Sequence, residues 1–207
     1  MNNKQVAEQL LKIHAVLLSP KKPFQWASGI KSPIYTDNRK TIGYPKVRDT
    51  IANTLVKLIK TKYPDVNAIG GVATAGVPHA AIVADKMKLP MIYVRSHPKD
   101  HGTGKQIEGH LPENAKVVLI DDLISTGKSV LNATKAVKKA GIDVLGVAAI
   151  FSYQLQDSEK NFKAADVKFD TVTNYSTLIQ LASDQGFVDK EELALLKKWR
   201  QNPWNWN

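Results

Sequence analysis

Two adjacent carboxylates, Asp121 and Asp122, follow the aliphatic run Val117-Val118-Leu119-Ile120 and precede Leu123-Ile124-Ser125-Thr126-Gly127-Lys128-Ser129. A short apolar, β-branched run reads as a buried strand, so the acids arrive at its carboxyl end. In an open α/β sheet that edge is where ligands bind. The residues after the acids are small and hydroxylated, and they lead into a helical pattern. Such a turn offers free backbone N–H groups and the positive end of a helix dipole, which suits a phosphate monoester. Gly127 permits close backbone approach, and Ser125, Thr126 and Ser129 can donate from their hydroxyls. An acid pair beside an anion nest fits a sugar phosphate: the carboxylates accept from vicinal hydroxyls while the nest holds the phosphate. The plainer alternative is a pair of aspartates that only caps a turn; the strand before and the nest after argue against it.

Thr126-Gly127-Lys128-Ser129 also echoes a nucleoside-triphosphate P-loop. That motif would place its first glycine where Asp122 stands, and a carboxylate there would repel the phosphates. The P-loop reading is therefore rejected.

Cationic chemistry is concentrated between Arg95 and Gly109, where Arg95, Lys99, His101 and Lys105 surround Gly102 and Gly104 with no hydrophobic periodicity. A long aperiodic stretch in a compact domain is a functional lid or an insertion. Cations closing over a departing anion would lower the barrier and exclude water. His97 reads as surface. Ala73-Thr74-Ala75-Gly76 is a third, weaker signal, since small residues before a helix leave N–H groups open to an anion but also serve close packing.

The elements that must position these groups follow from periodicity. Residues 4–18 read as an amphipathic helix, residues 24–37 as a hairpin about a Ser-Gly turn, and Val47 to Leu58 as a second helix with Pro45 near its start. Strands are expected at 68–72, 91–94, 116–120 and 144–151, with helices from Val77 and over 129–140, the latter closed by Gly141. Strands alternating with helices imply crossovers and a doubly wound, mostly parallel sheet of the α/β class. Two helices are expected in the tail, one starting at Asp189 with Glu192 and running to Arg200. Trp199, Trp204 and Trp206 read as aromatic anchors there. No linker or repeat divides the chain, so residues 1–207 read as one domain, with approximately 1–40 and the C-terminal helices forming a hood and flanks.

The formal charge of +10 points to acidic partners, a phosphorylated metabolite or a nucleic acid, and does not choose between them. No basic block of five or more residues suggests a nucleic-acid arm. There is no cysteine, which removes disulfides and thiolate metal sites. No run approaches the roughly 18 apolar residues of a membrane span, and the N-terminus lacks an apolar signal core, so a cytoplasmic protein is expected.

Segment 117–129 resembles the phosphoribosyl-pyrophosphate signature of type I phosphoribosyltransferases. Ser28-Gly29-Ile30-Lys31-Ser32-Pro33-Ile34-Tyr35, Ala73-Thr74-Ala75-Gly76-Val77-Pro78 and Arg95 through Gly109 resemble the orotate branch of that family. The resemblance implies the type I fold, with a small N-terminal hood and a mobile lid loop. It further implies transfer of a phosphoribosyl group from phosphoribosyl pyrophosphate (PRPP) to orotate, assisted by Mg²⁺ held mainly by substrate and water, with no residue a certain metal ligand. The PRPP contacts carried over are Arg95, Lys99, His101, Asp121, Asp122, Leu123, Ile124, Ser125, Thr126, Gly127, Lys128 and Ser129. Lys99, His101 and Asp122 are the expected catalytic residues, and Ala73, Thr74, Ala75 and Gly76 form the expected pyrophosphate loop. A homodimer is implied in which Arg95, Lys99 and His101 work partly across the subunit boundary; no nucleic-acid or membrane partner is expected. Ala27, Ala75, Ser96 and Tyr153 stand where many orotate enzymes carry two lysines, a second basic lid residue and a carboxylate-binding arginine. Of the candidates Lys31, Arg39 and Ser125, the expected orotate contacts are Ser125 with backbone N–H groups and Lys31 nearby, with Tyr35 facing the ring. Competing readings are a purine or uracil phosphoribosyltransferase and a PRPP-sensing regulator that binds nucleic acid.

Overall fold

The computed structural model describes residues 3–26, 29–97 and 106–206. In chain order the elements are α1 (Asn3–Lys12), β1 (Val16–Leu18), β2 (Phe24–Gln25), β3 (Lys31–Ser32), β4 (Ile34–Thr36), a 3₁₀ helix (Asn38–Gly43) and α2 (Pro45–Lys62). The central part comprises β5 (Ala68–Val72), α3 (Gly76–Met87), β6 (Met91–Val94), β7 (Ile107–Gly109), β8 (Lys116–Ile124) and α4 (Lys128–Lys139). Then come β9 (Asp143–Ser152), α5 (Gln156–Ala164), β10 (Phe169–Asn174), α6 (Tyr175–Asp184), α7 (Lys190–Gln201) and a short 3₁₀ helix, Pro203–Asn205.

Six strands form the main sheet in the order β10-β9-β8-β5-β6-β7, parallel throughout except for β7 at the edge. The doubly wound, mostly parallel arrangement expected from the alternation is thus present. β8 shows why its sequence is continuously apolar. Val118 and Ile120 enter the core beneath α1, α2 and α3, whereas Val117 and Leu119 enter the opposite core with Val130, Val137 and Phe162 of α4 and α5. A strand covered on both faces needs apolar residues at every position.

Four expectations change. The helix expected over 4–18 ends at Lys12: His14 takes φ 53°, and Val16–Leu18 pair antiparallel with Ile34–Thr36. The spacing of Leu17 suited either element, and strand pairing decided it. β8 runs past Ile120 to Ile124, so the acids sit within the strand's last residues rather than after it. β7 occupies the end of the stretch read as aperiodic; three residues ending in Gly109, at φ 106°, carry no usable alternation. β10 was unforeseen because only Val172 and Thr173 of its six residues are buried.

The hairpin expected over 24–37 is present only at its turn end, where β2 pairs antiparallel with β3; Ile34–Thr36 pair with β1 instead. It is braced from the far end of the chain. Trp199 of α7 is fully buried, and its Nε1 donates to the Lys31 carbonyl at 3.0 Å. Trp206 is buried as well, while Trp204 is 55% exposed and donates to Asp157 Oδ2 at 2.9 Å.

Candidate active site

From β5 the chain proceeds to β6 on one side, and from β8 to β9 on the other, although β5 and β8 are neighbours. A crevice opens at such a switch point, outside the carboxyl ends of the strands. Both expected substrate-holding segments face it: residues 73–75 after β5, and Asp121 to Ser129 at the end of β8. They are tightly packed. A Cβ on Gly76 would fall on the Ile120 carbonyl oxygen and 3.0 Å from Asp121 Cα, so glycine alone allows the approach. The Ala73–Thr74 peptide bond is cis.

The acid pair is largely withdrawn from water. Asp121 is 8% exposed and accepts the Asp122 N–H on Oδ1 at 2.9 Å. Burial first, and the neighbouring Asp122 charge second, hold the Asp121 carboxyl well above its usual range. Burial also pushes Asp122 up, while its hydrogen bonds with Asp121 and its own main chain, and the charge of Arg39, pull the other way. Arg39 is itself paired with Asp37 at 2.6 Å.

The turn after β8 leads into a helix, as expected. Gly127 caps α4 at φ 78°, and no side chain caps that helix, leaving its first N–H groups directed at the crevice. Two residues of α5 hold the turn: Asn161 Nδ2 donates to the Thr126 carbonyl at 2.9 Å, and the Phe162 ring packs over Gly127, where a Cβ would lie 2.5 Å from Cε2. Ile124 is fully buried toward the core, so only its main chain is available to a ligand.

Beside the nest lies a cavity of about 430 Å³ lined by Gln25, Trp26, Tyr35, Thr36, Leu123, Ser125 and Tyr153. Trp26 and Tyr153 pack with ring centroids 4.9 Å apart, and Trp199 meets Trp26 edge-on at 5.7 Å. This is a planar-ring pocket with polar rims. Ser125 belongs to both the nest and the pocket. A smaller space, about 190 Å³, lies on the other side between Ala73, Arg95, Gln106 and Ser129. Gln106 Nε2 donates to the Arg95 carbonyl at 2.8 Å, and the Arg95 guanidinium is 3.8 Å from Glu108.

The fold therefore brings together Asp121 through Ser129, Ala73 through Gly76, Arg95 and Tyr35. Lys31 is exposed on β3 and does not line the pocket. Lys99, His101 and Lys105 lie outside the described residues, as does Ala27. Tyr153, one of the departures from the family pattern, is buried in the pocket wall. Gln25, Trp26, Thr36, Asn161 and Phe162 were not singled out by sequence. Only Trp26, in the hairpin motif, carried a local signal.

The doubly wound sheet with an acid pair at its switch point is that of a phosphoribosyltransferase: residues 43–190 match the phosphoribosyl transferase domain family. A curated orotate phosphoribosyltransferase of Lactococcus lactis subsp. cremoris is 56% identical over 204 residues, covering 99% of this chain and 98% of that protein. The chain belongs to the orotate phosphoribosyltransferase family. Among solved structures, orotate phosphoribosyltransferase from Aeropyrum pernix superposes with a TM-score of 0.76 at 27% identity, over 89% of this chain and 99% of that one. The fold also recurs in Leishmania donovani UMP synthase, at a TM-score of 0.83 and 24% identity, over 97% of this chain and 42% of that longer chain. Among the described residues no helix is long and apolar enough to cross a membrane.

Proposed function

We infer that this chain transfers the phosphoribosyl group of PRPP to orotate, giving orotidine 5′-monophosphate and pyrophosphate in pyrimidine biosynthesis. The observation that carries the reading is the continuity of three subsites: an aromatic pocket, an acid pair and an anion nest, with Ser125 shared between pocket and nest. Orotate N1 forms a bond to the anomeric carbon as the bond to pyrophosphate breaks; the electron pair leaves with pyrophosphate, and the N1 proton passes off with the help of Asp122 or Lys99.

Asp121 and Asp122 orient the ribose hydroxyls, and residues 123–129 hold the 5-phosphate, Ile124 through its main chain. The loop from Ala73 to Gly76 presents N–H groups to pyrophosphate. Tyr35 faces the pyrimidine, Ser125 and adjacent N–H groups receive its carboxylate, and Lys31 adds charge to the approach rather than a contact. Arg95, Lys99 and His101 cover the leaving group from the neighbouring subunit of a homodimer, and Asp122 or Lys99 assists proton or charge movement. Much of the rate then comes from positioning and electrostatic stabilisation.

Among the described residues no three carboxylate, histidine or cysteine side chains converge as a ready-made metal cage. An acid pair beside substrate oxygens fits a hard cation that keeps much of its water. Mg²⁺ held there mainly by substrate and water would supply charge neutralisation on pyrophosphate, while Asp121 and Asp122 align the ribose. A cytoplasmic setting suits this chemistry.

The test is an incubation with Mg²⁺ and PRPP in which orotate, adenine, hypoxanthine and uracil compete. Selective loss of orotate supports the assignment. Consumption of another base would reassign the acceptor, and consumption of none would make the protein a binder of the donor.

A further inference from the structure

Three polar side chains lie buried beside the crevice with no part in the chemistry above: Asn38 and Thr41 on the 3₁₀ helix Asn38–Gly43, and His79 on α3, each 1% exposed or less. Burying such groups is costly unless they are bonded. Their bonds form a single thread. His79 Nε2 lies 3.4 Å from Thr41 Oγ1, Thr41 Oγ1 donates to the main-chain carbonyl of Asn38 at 2.6 Å, and Asn38 Nδ2 donates to the main-chain carbonyl of Asp122 at 2.7 Å. Proton counting gives its direction. Thr41 has one hydroxyl hydrogen, committed to Asn38, so toward His79 its oxygen can only accept. His79 must donate from Nε2 and is the neutral tautomer with Nδ1 bare.

The thread ends where the sheet needs it. β5 pairs with β8 only as far as Ile120, whereas β9 pairs with it through Ile124. Beyond Ile120, β8 has a strand neighbour on one edge only, and there Asn38 takes up the Asp122 carbonyl. Asn38 follows Thr36 of the aromatic pocket by two residues, and His79 stands in the first turns of the helix that begins at the pyrophosphate loop.

We propose that Asn38, itself held by Thr41 and His79, is a positioning residue: it fixes the main chain of Asp122 against the ribose and ties the nucleobase pocket to the donor site. This rests on the orotate and PRPP reading above and adds to it a residue that touches neither substrate.

Turnover of the wild type with orotate and PRPP is the reference; its absence would fault the activity and not the thread. Asn38→Ala and Thr41→Val should each raise the KM for PRPP by about tenfold, the scale of a lost bond to a positioned group. Thr41→Ser, which keeps the hydroxyl, should stay within about twofold of wild type on the same reasoning. A residue acting through Asp122 also predicts non-additivity. Adding Asn38→Ala to Asp122→Asn should weaken calorimetric binding of PRPP by less than about twofold beyond Asp122→Asn alone. An unchanged KM for PRPP in both single variants, or full additivity in the double variant, overturns the proposal. If Asn38→Ala does not fold, the Thr41→Val and Thr41→Ser pair decides it.

Discussion

Gly76 and Asp121 touch main chain to main chain: the first residue of α3 lies so close to the end of β8 that an added Cβ would be 3.0 Å from Asp121 Cα and would strike the Ile120 carbonyl. The loop proposed to meet pyrophosphate and the acid pair are thereby held at one distance by a residue with no side chain. Gly76→Ala must push the two segments apart. Misplacing reacting groups by about 1 Å can cost a hundredfold in rate, so kcat/KM should fall at least about tenfold, with a lower melting temperature. Steady-state kinetics and a thermal melt check both; wild-type kinetics would mean that the contact relaxes at no cost.

Asp121 is held at a cost to stability. Its folded carboxyl is held above the ordinary value chiefly by burial. The unfolded chain therefore ionises at lower pH than the folded one, and stability falls as pH rises through that window. Asp121→Asn removes the penalty. Its melting temperature should exceed that of wild type at pH 7 and converge with it near pH 4, while its turnover is at least about a hundredfold lower, as expected when a group that positions the substrate is lost.

His79 has the opposite sign. Burial, aided by the nearby Arg48 charge, lowers its pKa to about 4 from 6.5. Between those values the unfolded chain binds a proton that the folded chain refuses, so stability is lost as pH falls. The displacement is worth about 3 kcal/mol at one pKa unit per 1.36 kcal/mol. Denaturant titrations of His79→Asn from pH 7 to pH 4 should show a shallower decline than wild type; parallel curves would exclude His79 as a contributor.

Trp199 bonds the Lys31 carbonyl and packs against Trp26 and Tyr153 of the pocket. Trp199→Phe keeps most of the packing and loses the N–H. It should cost about 1 kcal/mol of stability and raise the KM for orotate several-fold, with the KM for PRPP nearly unchanged. A rise confined to PRPP would contradict a role in holding the hairpin.

Lys99 tests the lid and the shared site together. Lys99→Ala should depress turnover at least about tenfold without unfolding the protein, given the usual worth of a cation at a leaving group. Mixing it with Asp122→Asn should restore part of the activity, because every mixed dimer would carry one intact site. No rescue, with subunit exchange demonstrated, would place the lid over its own subunit.

The chemistry that is contiguous in the chain could be read from the residues alone. An apolar strand, two acids and a glycine-hinged helix start occupy one run from Val117 to Ser129, and a local pattern encodes local geometry. The same holds for the alternation that made the sheet parallel. That Val16–Leu18 form a strand depends on their partner, Ile34–Thr36, which supplies the hydrogen bonds. Tertiary packing also decided the pocket, whose walls come from Gln25, Tyr35, Ser125 and Tyr153, and the bracing of the nest by Asn161 and Phe162. Those contacts join residues far apart in the chain, and burial and bonding between distant segments leave no periodic mark in either one.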